Sequence, residues 1–165
     1  MKAQIRPWSL DDVEDLVKYA NNPRVAANLT DGFPHPYTKE DAVRFITMAM
    51  SATPTRIFAI ELNGEVVGGI GLHLQEDIYR NNAELGYWLA EPFWGKGIMT
   101  GIVNEIVTYG FAHFSINRIY ARPFGSNMGS QRVLEKAGFQ LEARFHKTLI
   151  KNGELEDELV FAIRR

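Results

Sequence analysis

The chain has no cysteine among its 165 residues, and this absence removes several kinds of chemistry at once. Without cysteine there is no disulfide framework, no thiolate metal site and no cysteine nucleophile. The four histidines are scattered, and none forms the His-x-x-x-His spacing that places two metal ligands on one helical face. We therefore expect no metal cofactor.

The sequence also lacks a strong net charge and a long apolar run. A net charge of −2 gives no electrostatic reason to expect nucleic acid or an anionic membrane as a partner. No apolar run approaches the roughly 18–20 residues of a membrane-spanning helix. The polar start of the chain does not have the pattern of a signal peptide. These absences favour a cytoplasmic location.

The composition that is present suits one globular domain. Apolar residues make up 45% and aromatic residues 12%, enough for a sizeable core. No linker or repeat divides the sequence, so we expect a single domain over residues 1–165. Periodicity and turn signals predict a mixed α/β (α+β) fold, with helix caps at Ser9 and Thr38, a hairpin turn at Asn63-Gly64 and an apolar stripe along the helix over residues 98–114. The predicted helices are 10–20, 24–28, 39–50, 98–114 and 127–137, and the predicted strands are 2–6, 56–62, 66–74, 81–90, 118–122, 139–147 and 154–163.

The most informative segment is Trp94-Gly95-Lys96-Gly97-Ile98-Met99-Thr100, which lies between a predicted strand and a long amphipathic helix. Glycines at two positions let the backbone turn sharply and approach a ligand closely. The start of the helix adds unpaired N–H groups and the positive end of its dipole. The segment therefore suits a phosphate or pyrophosphate. A turn that needs glycine only for its own geometry is the alternative, because a short Gly-x-Gly is a weak motif.

A second segment, Asn127-Met-Gly-Ser130, opens a short predicted helix that ends before Gly138. Asparagine is a favoured N-cap, and glycine is favoured just after a helix. Capping alone is therefore an alternative to a ligand-binding role for Asn127.

Together the two segments resemble the acetyl-CoA-binding motifs of the GNAT N-acetyltransferase superfamily. Residues 94–99 resemble its pyrophosphate loop, and Asn127–Ser130 resemble its Asn-x-x-Ser/Ala helix. The run Ala83-Glu-Leu-Gly-Tyr-Trp-Leu89 and the Trp-Gly-x-Gly loop are similar to the branch that contains the ribosomal-protein N-acetyltransferases. The resemblance implies a mostly antiparallel mixed sheet flanked by helices, with a splayed strand pair that admits the pantetheine arm of acetyl-CoA.

The resemblance also implies which residues contact acetyl-CoA, which would serve as co-substrate. They are Leu89, Trp94, Gly95, Lys96, Gly97, Ile98, Met99, Thr100, Asn127 and Ser130. In the superfamily, the backbone N–H around the Leu89 position donates to the thioester oxygen as it becomes negative.

The sequence departs from the family pattern at three positions. Trp94 stands where the loop usually has Gln or Arg, and Met99 stands where it has Gly or Ala. Leu134 replaces the helix tyrosine that many members use to protonate the departing thiolate. The Ser130 hydroxyl is then the nearest motif group for that acid role, with Tyr87 and Tyr120 as outside candidates.

Glu84 is the first candidate for the general base that accepts a proton from the amine. Strand alternation places it near the middle of an apolar strand, on the same face as Gly86 and Trp88. The alternative is a structural glutamate paired with an arginine, for which Arg80, Arg118 and Arg122 are possible partners.

An acidic segment, Glu154–Glu158, has two interpretations. It could attract a basic peptide, or it could be a solvated strand face with Leu155 and Leu159 turned inward.

The sequence thus predicts an acetyl-CoA-dependent N-acetyltransferase that acts on a primary amine by direct attack, since no nucleophile-elbow pattern is present. A protein or peptide N-terminal α-amine is one acceptor that fits. The alternatives are a small-molecule amine as acceptor, or a non-catalytic domain that senses acyl-CoA. A P-loop phosphotransferase is disfavoured because the Gly-x-x-x-x-Gly-Lys-Ser/Thr pattern is absent. We expect a monomer or a homodimer.

Overall fold

A computed structural model describes residues 2–165 of the chain. Its α-helices are α1 (Val13–Ala20), α2 (Pro23–Ala26), α3 (Lys39–Ala49), α4 (Ile98–His113) and α5 (Met128–Lys136). Its strands are β1 (Gln4–Pro7), β2 (Ile57–Leu62), β3 (Glu65–Leu74), β4 (Asn82–Leu89), β5 (Arg118–Ala121), β6 (Gln140–Lys151) and β7 (Glu154–Arg164). Every predicted helix and strand is confirmed, with shifts of a few residues at the ends.

Two of the helical segments begin at capping boxes, which supply partners for their first N–H groups. The Ser9 N–H donates to the Asp12 carboxylate at 2.9 Å in a capping box that opens a 3₁₀ turn ahead of α1. The same reciprocal pattern starts α3, where Thr38 accepts the Asp41 N–H at 3.1 Å. Such caps are local in sequence, which is why the starts of these helices were predictable.

The β2–β3 hairpin turns at Asn63-Gly64, as predicted. Both residues have positive φ, at 52° and 81°, which is the backbone of a type I′ turn. Asn152-Gly153 has the same signature, at 51° and 79°, between β6 and β7.

Seven strands form one sheet in the order β1-β2-β3-β4-β5-β7-β6. The pairs β1–β2, β2–β3, β5–β7 and β6–β7 are antiparallel, whereas β4 and β5 are parallel. The β4–β5 register joins Asn82–Glu84 to Arg118–Tyr120, and β4 then continues to Leu89. The mixed, mostly antiparallel sheet confirms the predicted fold class.

Contacts divide the chain into two compact units. The first comprises residues up to 71 together with 87–98, and the second comprises 72–86 and 99–165. The core of the first unit includes Trp8, Leu16, Tyr37, Ile46, Ala59 and Val66. The core of the second includes the predicted apolar stripe of α4, of which Met99, Ile102, Val103, Ile106, Val107 and Gly110 are buried. The single domain over 1–165 stays a prediction.

The β6–β7 hairpin corrects one sequence interpretation. Leu159 is buried as expected, but Leu155 is exposed. Both side chains share one face by alternation, yet Leu155 lies beside the turn and pairs with Ile150, which is also exposed. Nearness to the turn, rather than alternation, decides its exposure.

Among residues 2–165, no helix is both long enough and apolar enough to cross a membrane.

The close contact between β3 and the end of β4 predicts how a substitution at Gly68 changes stability. A Cβ atom on Gly68 would overlap the Trp88 carbonyl oxygen and lie 3.2 Å from the Leu89 Cα. Because both neighbours are backbone, Gly68→Ala should lower the free energy of unfolding by about 1–3 kcal/mol. Urea unfolding measures the change. Gly86→Ala is the control, since its Cβ would meet no atom closer than 3.7 Å. Equal stability of the two variants would contradict the steric argument.

Candidate functional site

The glycine-rich loop connects β4 to α4 by an unusual backbone path. After β4 ends at Leu89, a 3₁₀ turn covers Glu91–Phe93, and α4 begins at Ile98. Gly95 and Gly97 have φ of 72° and 76°, a left-handed conformation that side chains other than that of glycine rarely tolerate. A Cβ at either position would meet no atom within 4 Å, so conformation rather than crowding demands glycine here.

The surroundings of this loop suit an anion. Residues 94–97 are exposed, so their backbone is accessible to a ligand. The first turn of the 16-residue helix α4 follows directly, and its N–H groups lack intrahelical acceptors. The Lys96 ammonium, 5.9 Å from the centre of the Phe93 ring, adds a positive charge in the loop. Open space, backbone donors and a cation together fit a pyrophosphate group.

Side chains in the predicted loop differ in what they can contribute. Met99 is buried, so its side chain belongs to the core and only its backbone is suited to a ligand. Ile98 and Thr100 are half-buried, and Lys96 is exposed. Trp94 directs its indole N–H to the Leu89 carbonyl oxygen, 2.7 Å away. The structure therefore joins Trp94 and Leu89, two residues that the sequence could only place on one segment.

The turn before the loop is held by an ion pair that sequence reasoning missed. The Glu91 carboxylate accepts hydrogen bonds from Asn22 Nδ2 at 3.0 Å and from Arg24 Nη1 at 2.7 Å. The bonds from Asn22 and Arg24 lower the pKa of Glu91, so its carboxylate stays ionised. The rings of Tyr19 and Phe93 pack edge to face, with their centres 6.0 Å apart. Residues from the α1–α2 region thus anchor this turn.

In the second unit, Asn127 acts as a helix cap. Its Oδ1 atom accepts the Ser130 N–H at 3.2 Å, so Asn127 is the N-cap of α5. Leu134 is fully buried in the core of this unit. Its aliphatic side chain has no proton that it could donate. The ligand-binding roles of Asn127 and Ser130 stay predictions.

Gln131 is a further residue of this segment that the sequence did not reveal. Its buried amide donates to the Phe124 carbonyl at 3.2 Å and to the Gly125 carbonyl at 3.0 Å. These bonds fix the turn that leads into α5.

Glu84 lies in an ion pair with Arg122, one of the three partners that the sequence offered. Arg122 Nε donates to Glu84 Oε2 at 2.8 Å, and Arg122 Nη2 donates to Oε1 at 3.2 Å. Arg122 also lies 3.7 Å from the Glu158 carboxylate. The hydrogen bond that Arg122 donates to Glu84 is the main cause that raises the pKa of Arg122. The paired arrangement supports the structural interpretation, and the base role of Glu84 stays a prediction.

The other two candidate arginines are engaged elsewhere. Arg118 donates to Glu142 at 2.8 Å and to Asn82 at 2.8 Å. Arg80 donates to the Asp77 carbonyl oxygen. The backbone of Glu158 forms an isolated β-bridge with Phe124. This long-range pairing has no local sequence signal.

Tyr120 lies directly opposite Glu84 in the β4–β5 register. Burial, and then the negative charge of Glu84, raise the pKa of this phenol. The hydroxyl carries its proton at neutral pH, as phenols ordinarily do, and the raised pKa makes it a weaker acid. Arg118 lies over its ring, 4.6 Å from the centre.

Within residues 2–165, no three His, Asp or Glu side chains converge as metal ligands.

Comparison with known proteins identifies the family. Residues 3–140 match the model of the acetyltransferase (GNAT) domain. This match covers most of the chain, and the chain belongs to this family.

Two curated relatives show how far the similarity extends. The chain is 28% identical over 163 residues to the uncharacterized N-acetyltransferase p20 of Bacillus licheniformis, covering 96% of this chain and 90% of p20. It is 34% identical over 101 residues to the putative ribosomal N-acetyltransferase YdaF of Bacillus subtilis. That match covers 61% of this chain, and the chain spans about half the length of YdaF, 55%.

Solved structures share the whole fold. A GNAT-family acetyltransferase from Bacillus anthracis superimposes with a TM-score of 0.85 at 25% identity, covering 99% of this chain and 95% of that one. RimL, a ribosomal alpha-N-protein acetyltransferase in complex with coenzyme A, gives 0.87 at 21% identity, covering 99% and 94%. MccE, a self-immunity acetyltransferase in complex with acetyl-CoA and AMP, gives 0.84 at 24% identity, covering 99% and 93%. At these identities, RimL and MccE show the fold alone.

Proposed function

We propose that this protein is an acetyl-CoA-dependent N-acetyltransferase that moves an acetyl group to a primary amine by direct attack. The observation that carries the proposal is the loop at Gly95 and Gly97. Its two left-handed glycines face open space at the start of a long helix, in a chain that belongs to the GNAT family. The RimL and MccE structures contain coenzyme A and acetyl-CoA, which supports the choice of co-substrate.

Each part of the reaction has a candidate group in this chain. Backbone N–H groups of the loop and of the first turn of α4 would bind the diphosphate. Acetyl-CoA would supply the activated acetyl group as a thioester. The Leu89 N–H would donate to the carbonyl oxygen as negative charge develops there.

Proton transfer falls to residues of the second unit. Glu84 would accept the proton that the amine releases, directly or through one water molecule. Ser130 is the motif hydroxyl proposed to protonate the thiolate, and Tyr87 and Tyr120 are the outside candidates.

The first test concerns the co-substrate. Acetyl-CoA should raise the melting temperature of the wild-type protein, since a ligand that binds the native state stabilises it. Gly97→Asp should abolish this rise, because it places a side chain and a negative charge where the diphosphate would bind. Thermal unfolding with and without acetyl-CoA gives the result.

Gly64→Asp is the matched control for that variant. Gly64 has φ of 81° and also faces open space, but it lies in the β2–β3 turn. The backbone strain is therefore similar, and the rise with acetyl-CoA should persist. A folded Gly97→Asp protein with a normal rise would show that the loop assignment is wrong.

The second test concerns the base. Glu84→Gln keeps the shape of the side chain and removes the proton acceptor, so turnover should fall by roughly ten- to a thousand-fold. The affinity for acetyl-CoA should hardly change. Glu142→Gln is the control, because Glu142 is also an arginine-paired carboxylate of the second unit. Unchanged turnover of Glu84→Gln from pH 6 to 9, or an equal loss in Glu142→Gln, would assign Glu84 to structure.

The acceptor is proposed to be an α-amine, such as a peptide or protein N-terminus. A free α-amine has a pKa of about 7.7–8.0, whereas lysine has about 10.4, so roughly a tenth of α-amines but well under a hundredth of lysines are neutral at pH 7. Glu84, the candidate base, is held in an ion pair with Arg122. A base that is already paired in this way is poorly equipped to deprotonate lysine.

Competing peptides test this preference. One peptide carries a blocked N-terminus and a free lysine, and the other carries a free N-terminus and a blocked lysine. We expect acetyl transfer mainly to the free N-terminus, measured by mass spectrometry and by release of coenzyme A. Comparable transfer to lysine, or activity confined to small-molecule amines, would contradict the α-amine proposal and leave the acetyltransferase assignment intact.

A further inference from the structure

We infer that Trp94 is a positioning residue whose indole N–H sets the spacing between the end of β4 and the phosphate loop. The inference rests on the proposed function, because it assigns a purpose to that spacing. Trp94 occupies the position where the resembled motif has Gln or Arg, so the role belongs to this chain's own residue.

The first observation is the fixation of one peptide unit. The Leu89 carbonyl accepts the Trp94 Nε1–H at 2.7 Å, and the N–H of the same peptide, on Ala90, donates to the Val67 carbonyl at 2.8 Å. Both polar groups of the Leu89–Ala90 peptide are therefore engaged. One bond ties it to β3, and the other ties it to the loop.

The second observation is that each side of the Trp94 bond is anchored separately. On the strand side, the backbone of Trp88 and Leu89 lies against Gly68 so closely that no Cβ would fit. On the loop side, Glu91 accepts bonds from Asn22 and Arg24, and the Trp94 N–H donates to the Glu91 carbonyl at 3.1 Å. The indole thus joins two segments that are each held in place.

The spacing matters because one ligand molecule would contact both segments. The thioester carbonyl would meet the Leu89 N–H, and the diphosphate would meet the loop around Gly97. Donors that are correctly spaced before binding avoid the cost of ordering them during binding or reaction. A small misplacement of such donors is costly, because reacting groups need close alignment.

An indole suits this task better than a long flexible side chain. Its planar ring has two side-chain torsions, so little conformational entropy is lost when its N–H is fixed. The indole nitrogen can only donate a hydrogen bond, and here its N–H donates to the Leu89 carbonyl oxygen. Trp94 is therefore assigned to act through Leu89 rather than as a direct donor to phosphate.

The test compares two ligands on Trp94→Phe, which keeps an aromatic ring and removes the N–H. Acetyl-CoA would bridge both segments, whereas adenosine 3′,5′-bisphosphate lacks the pantetheine arm and the thioester. We expect the dissociation constant of acetyl-CoA to rise by about three- to tenfold, the range for one lost hydrogen bond. The constant for the bisphosphate should change less than about twofold.

Trp8→Phe is the matched control. Trp8 is buried, and its Nε1 atom has no hydrogen-bond partner among the described residues, so the same substitution there removes packing but no such bond. It should lower the melting temperature and leave both dissociation constants unchanged.

Three other outcomes would contradict the positioning role of Trp94, and one of them would also contradict the proposed function. An unchanged acetyl-CoA constant in Trp94→Phe would overturn the positioning role while the proposed function stands. Equal weakening of both ligands would show general damage to the loop and would also overturn it. A wild-type protein that fails to bind acetyl-CoA would reject the proposed function, and the inference with it.

Discussion

The close contact between β3 and the end of β4 is the constraint on which the candidate site in the first unit depends. Gly68 leaves no room for a side chain beneath the Trp88 carbonyl, and Val67 accepts the Ala90 N–H. These two contacts fix where the strand ends. The 3₁₀ turn, the loop and the start of α4 follow from that point, so a shift of the strand end would move every donor of the proposed phosphate site.

Glycine serves two different purposes in this arrangement. At Gly68 the reason is space, because a backbone oxygen occupies the position of a Cβ. At Gly95 and Gly97 the reason is conformation, because φ is positive and the surroundings are open. A sequence shows both as the same letter, and only the fold distinguishes a packing glycine from a loop glycine that faces open space.

The sequence predicted those parts of the fold that are encoded over a few neighbouring residues. The Ser9 and Thr38 caps, the Asn63-Gly64 turn and the apolar stripe of α4 each act within a few positions of the chain. The loop at residues 94–97 was predictable for the same reason. Its geometry, with two positive φ angles before a helix, agrees with what its glycines indicated.

Contacts between distant segments were not predictable in this way. Three arginines were plausible partners for Glu84. The register places Glu84 opposite Tyr120, two residues from both Arg118 and Arg122, and Arg118 pairs with Glu142 instead. The hydrogen bonds that Glu91 accepts from Asn22 and Arg24 join residues that are 69 and 67 positions apart in the sequence. The bond from Trp94 to Leu89 spans five residues, yet no rule of local sequence relates an indole to that carbonyl.

The arrangement around Arg122 bears on how a paired carboxylate can still act as a base. Arg122 is bidentate to Glu84 and also lies 3.7 Å from Glu158. If Glu84 takes up a proton, it loses most of its attraction for the Arg122 guanidinium, whose side chain is 47% exposed. Glu158 supplies a second negative charge at that moment, so Arg122 keeps a carboxylate partner in either protonation state of Glu84. An arginine between two glutamates therefore keeps a carboxylate partner through the proton transfer proposed for Glu84, which a single Glu–Arg pair could not provide.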